Sequence, residues 1–427
     1  MNDEKDLIEK DIGPELKKEL SLFDLILIGL GCIVGSGVFV ILGRTIFIGG
    51  RYVVLGFILV TIISIIMGYV YIEIYSRYKS EITEYLAVKN TLGEKMGKFT
   101  LYVVYFFAIF SSITVIVSIT KYIGVFKGKY LKEIVFSIFL LIVIMMINLA
   151  GIRTSKIVCN CIGISLIIIL GGIGLLGFNK INLNKIFNGP QVPWSSFVLA
   201  TILAFFLFNG YDVLVKMSGE VKDEKDTKKA LITSLSITSV FYIMIIIVLI
   251  SVMGYSQIGK TYYPLSKIYE YLINKNVSNI VYLIGCVILF NTAFLTLTGG
   301  SRFLYGLSNN KVIPYSEHLT QLNRNQAPQN AILVTFVISV IAALLNNEVI
   351  LAVITNFSAM YIMITISICL IMIRWRERDN KKEQKEHNYI KGNINNIPIP
   401  VVISLCILIY FMIVILKNKF WIGNKLI

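Results

Sequence analysis

Charged side chains are scarce in this sequence, and their scarcity is the first constraint on what it can fold into. Asp, Glu, Lys and Arg make up 15% of 427 residues against 56% hydrophobic ones, with a mean hydropathy of +0.76. Soluble domains are usually about 45 to 50% apolar, so a water-facing globule is excluded. Histidine is nearly absent: His318 and His387, both in polar segments, leave little for histidine-based acid–base or metal chemistry. The six cysteines (Cys32, Cys159, Cys161, Cys286, Cys369, Cys406) all fall in apolar runs, with neither zinc-ligand spacing nor a disulfide framework. No metal, cofactor, catalytic nucleophile or phosphate loop is therefore expected, and no enzyme activity. Acidic residues are also in deficit, giving a formal charge of +15. In a membrane chain such an excess faces anionic lipids, so nucleic acid is not an expected partner.

Apolar length is abundant. A helix of about 20 apolar residues crosses a hydrocarbon core of roughly 30 Å, and eleven such spans are expected at 22–42, 52–75, 99–120, 133–150, 157–177, 194–215, 231–254, 280–304, 329–346, 349–373 and 398–416. The fold class is an all-α polytopic membrane protein. The first span follows a highly charged tail, residues 1–21, and continues at full length, so no cleavable signal is visible. With that tail in the cytoplasm, 25 of the 40 Lys and Arg fall on the inner side and about 14 outside, as the positive-inside rule requires. The plasma or cell membrane is the expected location.

Two spans are interrupted. "GLGCIVGSGVFVILG" at 29–43 holds five glycines, each costing about 0.8 to 1 kcal/mol relative to alanine in a helix interior. Alone, these glycines fit either close helix packing or an unwound stretch. The sixth span, "WSSFVLATILAFFLFNGYDVLVKMSGE" at 194–220, meets Asn209, Gly210, Tyr211 and Asp212 near its middle. A polar group at that depth is expensive unless it lines a cavity or meets a partner. Matching breaks five spans apart are the mark of an inverted five-plus-five helix repeat, here 22–177 and 194–373. An unwound Ile33–Val34–Gly35–Ser36–Gly37 would offer backbone amides to a carboxylate. An unwound Phe206–Leu207–Phe208–Asn209 would offer carbonyls to an ammonium, with Gly210, Tyr211 and Asp212 adjoining. Such a site suits a zwitterion.

These residues resemble an amino acid permease of the amino acid/polyamine/organocation superfamily, over nearly the whole chain. The matching pieces are "GSGVF" at 35–39, Glu73 and Arg77 in "IEIYSRYK", "FFLFNGYD" at 205–212, "SGEVK" at 218–222, "SRFLYGLSNNKVIP" at 301–314 and "APQNA" at 327–331. The resemblance implies the inverted-repeat fold of the bacterial leucine transporter and a secondary transporter that moves amino acids by alternating access. A nutrient sensor on the same fold is the alternative, though tails of about twenty and eleven residues leave little room for a signalling domain. A channel is disfavoured because no span repeats pore-lining charge. Departures include Lys79 for the usual proline, Ile82–Thr83 for a glycine pair, Asp223–Glu224 for Asn-Pro, and eleven spans where most relatives have twelve. Dimer contacts made by the last helices of relatives do not carry over, so the oligomeric state stays open.

The resemblance also assigns roles. Phe206 aligns with an aromatic that closes over substrate. From depth and spacing rather than resemblance, Asp212 is expected to be functional, and Lys216 and Glu220, four apart, are expected to form a local ion pair near the cytoplasmic interface. Some bacterial relatives place a proton-coupling lysine in span 5, where this chain has Ser165 or Leu166. Neither titrates, so exchange or facilitated flux is expected. The alternative is ion-coupled symport of an amino acid or polyamine, with Thr292 as the hydroxyl of a possible cation site. Light-chain relatives join a heavy chain through a cysteine in the loop at 121–133, which has none here, so no disulfide-linked partner is expected. The run 374–397 is expected to be a solvated cytoplasmic loop, leaving 398–427 as an extra span and tail. The sequon Asn276-Val277-Ser278 is expected in an outer loop, close to span 8.

Overall fold

The structure, a computed structural model, describes residues 16–35, 37–123, 129–261, 263–379 and 387–417. Among them, eight stretches are long and apolar enough to cross a membrane: Leu42–Tyr78, Glu94–Thr120, Tyr130–Leu149, Ile152–Lys180, Glu224–Met253, Lys275–Asn309, Ile350–Arg376 and Ile399–Leu416. Three shorter apolar helices, Leu22–Ile33, Trp194–Phe206 and Gln329–Ala343, complete the set. Each of the eleven expected spans corresponds to one of these stretches.

In chain order the helices are α1 (Leu22–Ile33), α2 (Leu42–Gly49), α3 (Val53–Tyr78), α4 (Thr83–Leu92), α5 (Glu94–Ile123), α6 (Tyr130–Leu149), α7 (Ile152–Gly177), α8 (Leu183–Phe187) and α9 (Trp194–Phe206). They continue with α10 (Val213–Lys216), α11 (Glu224–Met253), α12 (Tyr255–Gly259), α13 (Pro264–Leu272), α14 (Lys275–Asn309), α15 (Ser316–Leu319), α16 (Gln329–Ala343), α17 (Glu348–Arg376) and α18 (Ile399–Lys417). α1 lies among α7, α11 and α14, and α14 runs along α5, so the first broken span is wrapped by unbroken helices. α1 starts at a capping box in which Ser21 and Asp24 satisfy each other's backbone amides.

Two expectations are corrected. The run 374–397 is not simply a solvated loop: its first residues close α17, and 380–386 lie outside the described residues. Arg374 is fully buried and donates to both carboxylate oxygens of Glu73 on α3, and Glu73 Oε1 also accepts from the amides of Tyr389 (2.8 Å) and Ile390 (2.6 Å). A two-stranded hairpin, β1 (Asn393–Ile394) and β2 (Ile397–Pro398), follows at once. The physical reason is charge compensation: Glu73, itself buried, needs a cation and donors; the last turn of α17 supplies the cation and the segment after that helix supplies the amides. The second correction concerns the sequon. It forms the first turn of α14, and Ser278 is buried with its hydroxyl on the Ser266 carbonyl at 2.8 Å.

Candidate functional site

α1 ends because its backbone turns away at Val34 (φ −87°, ψ 75°), and the chain resumes as a wide π turn over Gly37–Ile41 before α2. Close approach of α14 requires a glycine here. A Cβ on Gly35 would lie 2.4 Å from Thr292 Oγ1 and 2.5 Å from its Cγ2. The Thr292 hydroxyl lies 2.9 Å from the Gly31 carbonyl and 3.2 Å from that of Ile288.

The sixth span loosens more gradually. Leu207, Phe208 and Asn209 each donate to the carbonyl three residues back instead of four, tightening the end of α9 until the helix gives out. Gly210 then takes φ +116°, where a side chain would be strained, and a Cβ there would sit 2.7 Å from the Cys32 carbonyl. The two broken backbones therefore touch. Tyr242 on α11 joins them, its phenol lying 3.2 Å from the Ile33 carbonyl and 2.9 Å from that of Leu207. Nothing in a single sequence marks this tyrosine.

One cavity lies between the breaks. Span 1 contributes Ile33, Gly35 and Gly37, and span 6 contributes Phe206, Asn209, Gly210 and Asp212. Thr292 and Thr296 of α14 and Thr355 of α17 add hydroxyls. Phe107, Ser111 and Val115 of α5 close a wall that the sequence reading missed. Four candidates lie elsewhere: Val34 and Leu207 are buried away from the cavity, Phe208 packs edge-on to Tyr242 at 5.1 Å, and Tyr211 packs edge-on to Tyr71 at 5.5 Å. Ser36 falls outside the described residues. Ser165 is half-buried, with its hydroxyl on the Cys161 carbonyl, and Leu166 is buried.

The expected Lys216–Glu220 pair does not form. α10 stops at Lys216 and a tighter 3₁₀ turn covers Ser218–Glu220, so the two residues no longer share a helix face. Lys216 instead reaches back one turn to Asp212, as side chains on a helix lean toward its N-terminus. Its Nζ also lies 3.9 Å from Glu84 of α4. Glu220 pairs with Arg302 of α14 at 2.9 Å, both buried, and Arg302 also donates to Asn148 of α6 at 3.2 Å. Asp212 thus stands at the cavity floor with its charge already answered.

A helical bundle of this length, broken at two touching points around a mixed polar and apolar cavity, is a multi-pass integral membrane protein of the transporter class. Residues 20–419 match the family model described as "Amino acid permease", and the chain belongs to that family. It is similar to the branched-chain amino acid permease BcaP of Bacillus subtilis (strain 168), 26% identical over 88% of this chain and 85% of that one. The methylthioribose transporter of the same organism is 25% identical over 93% and 88%. The D-serine/D-alanine/glycine transporter of Escherichia coli O6:H1 is 22% identical over 92% and 89%. The chain is a secondary transporter of amino acids, and membership of a permease family implies transport without chemical change of the substrate.

Proposed function

We propose that this permease moves neutral, largely apolar amino acids by alternating access, through exchange or facilitated flux, with its N-terminus in the cytoplasm. The observation carrying the reading is the pair of broken helices that meet across one cavity. In it, the amide of Gly37 receives the substrate carboxylate, and the span 6 side receives the ammonium. Asp212 is paired with Lys216, which disfavours a fixed negative site for a cationic side chain. Ile33, Phe107, Val115 and Phe206 provide apolar wall for the substrate side chain. One relative named for branched-chain amino acids agrees with that lining. The two repeats, 22–177 and 194–373, rock about the breaks, and Phe206 closes over the substrate. No disulfide-linked partner takes part. Contact of the Thr292 hydroxyl with the Gly31 carbonyl supports a second reading, sodium-coupled symport.

Uptake of labelled L-isoleucine into proteoliposomes tests the proposal. Flux is expected to rise when unlabelled L-isoleucine is loaded inside. Each charge-assisted hydrogen bond to the carboxylate contributes about 1.5 to 3 kcal/mol, so L-isoleucine methyl ester is expected to compete at least tenfold more weakly. Equal competition by the ester would remove the carboxylate assignment.

Asn209 lines the cavity with a buried Oδ1 that has no hydrogen-bond partner among the described residues. Asn209→Gly is expected to widen the site and shift competition toward larger apolar amino acids such as L-phenylalanine. An unchanged competition profile would place Asn209 outside the substrate contacts.

A further inference from the structure

Below the cavity, one buried ammonium serves two buried carboxylates. Lys216 Nζ contacts Asp212 and lies 3.9 Å from Glu84 Oε1, and all three residues are at most 7% exposed. Asp212 borders the cavity, whereas Glu84 does not. Neither oxygen of Glu84 has a hydrogen-bond partner among the described residues. One cation cannot fully neutralise two buried carboxylates, and an ionised carboxylate without donors is costly to bury.

We propose that Glu84 is a proton-binding site that shares the Lys216 ammonium with Asp212, so that protonation of this carboxyl and occupancy of the cavity are linked. The proposal rests on the reading of the cavity as the amino acid site. When a substrate ammonium engages Asp212, the Lys216 ammonium is released toward Glu84. The Glu84 O–H bond then breaks and its proton passes to water, leaving a new ion pair with Lys216. Substrate binding therefore releases a proton, and affinity strengthens as pH rises through the titration range of Glu84.

The surroundings suit that role. Glu84 belongs to a short helix between two spans, and burial, reinforced by the charge of Asp212 and opposed by Lys216, pushes its carboxyl up to about 7. From α3, Tyr71 faces the cluster; from α5, the Phe107 ring covers Lys216 Nζ at 5.6 Å. From the two breaks come Cys32 and Tyr211, and from α14 Gly299 lies against the Lys216 stem. On α17, Arg374 is engaged by Glu73, and Arg376 reaches the far end of α4 at the Asn90 and Thr91 carbonyls. Glu84 sits at a position where the sequence shows only one more charge in a loop.

Infrared difference spectroscopy on the purified protein, without substrate, reads Glu84 directly. A protonated-carboxyl C=O band is expected to titrate with a midpoint near 7 and to vanish in Glu84→Gln. Lys216→Met, which removes the cation, is expected to raise the midpoint by at least about one pH unit. Absence of the band in the wild type, or its persistence in Glu84→Gln, overturns the proposal. Calorimetric binding of L-isoleucine is expected to tighten up to about tenfold per pH unit below the midpoint, and to lose that dependence in Glu84→Gln. Binding with a pH-independent Kd in the wild type overturns the linkage. Failure of L-isoleucine to bind at any pH counts against the cavity reading, while the substrate-free titration still decides on Glu84.

Discussion

Gly35→Ala is expected to lower uptake at least about fivefold while the protein remains inserted in the membrane. The added methyl would stand 2.4 to 2.9 Å from three atoms of Thr292, including its Cβ. A β-branched side chain on a helix has one or two usable rotamers, so it cannot swing clear, and α14 or the break must move. Overpacking of this kind costs about 1 to 3 kcal/mol, which corresponds to roughly fivefold to 150-fold in any step that needs the undistorted site. Gly37→Val acts on the other side of the cavity: a Cβ at Gly37 lies 2.8 Å from Leu207 Cγ and 3.1 Å from its Cα, so bulk there pushes on the span 6 backbone. Transport assays scaled to surface expression separate lost function from lost protein. Wild-type uptake by both variants would mean that the breaks do not form the substrate site.

Arg302→Met is expected to cost about 3 to 5 kcal/mol, because it strands a buried Glu220 without its cation. Arg302 is fully buried and reaches Glu220 through both Nε and a terminal nitrogen, with Asn148 as a further acceptor. The turn that carries Glu220 also holds the N-terminal segment: the Glu220 carbonyl accepts from the amides of Glu19 and Leu20, and Lys222 donates to Leu20. Loss of the pair therefore frees the entry to α1 as well. A lowered thermal unfolding midpoint in detergent and loss of uptake are the expected results. Arg302→Lys keeps the charge but not the planar fork and should fall between. An unchanged midpoint in Arg302→Met would show that Glu220 finds another partner or a proton.

The spans were legible because hydrocarbon thickness imposes a length that composition alone reveals. The breaks were legible for a related reason: glycines 29 to 37 and the Asn209–Asp212 run are too costly in a membrane helix to be accidental. Lys216 was misassigned because the i, i+4 rule presumes a continuous helix, and the helix ends at that residue. The partners of Glu220 and Glu73 lie 82 and 301 residues away in sequence and the second carboxylate at Lys216 lies 132 away, and no local spacing encodes such pairings. Tyr242 and the α5 wall were missed likewise, since an aromatic or a serine in a span reads first as packing.

The phenol of Tyr242 has one proton and two carbonyls within reach, one from each broken span. It serves one of them at full strength at a time. In the alternating-access reading proposed above, a movement at either break would leave the phenol with the carbonyl of the other. Such a movement would hand over a single hydrogen bond, instead of stranding two bare acceptors at once.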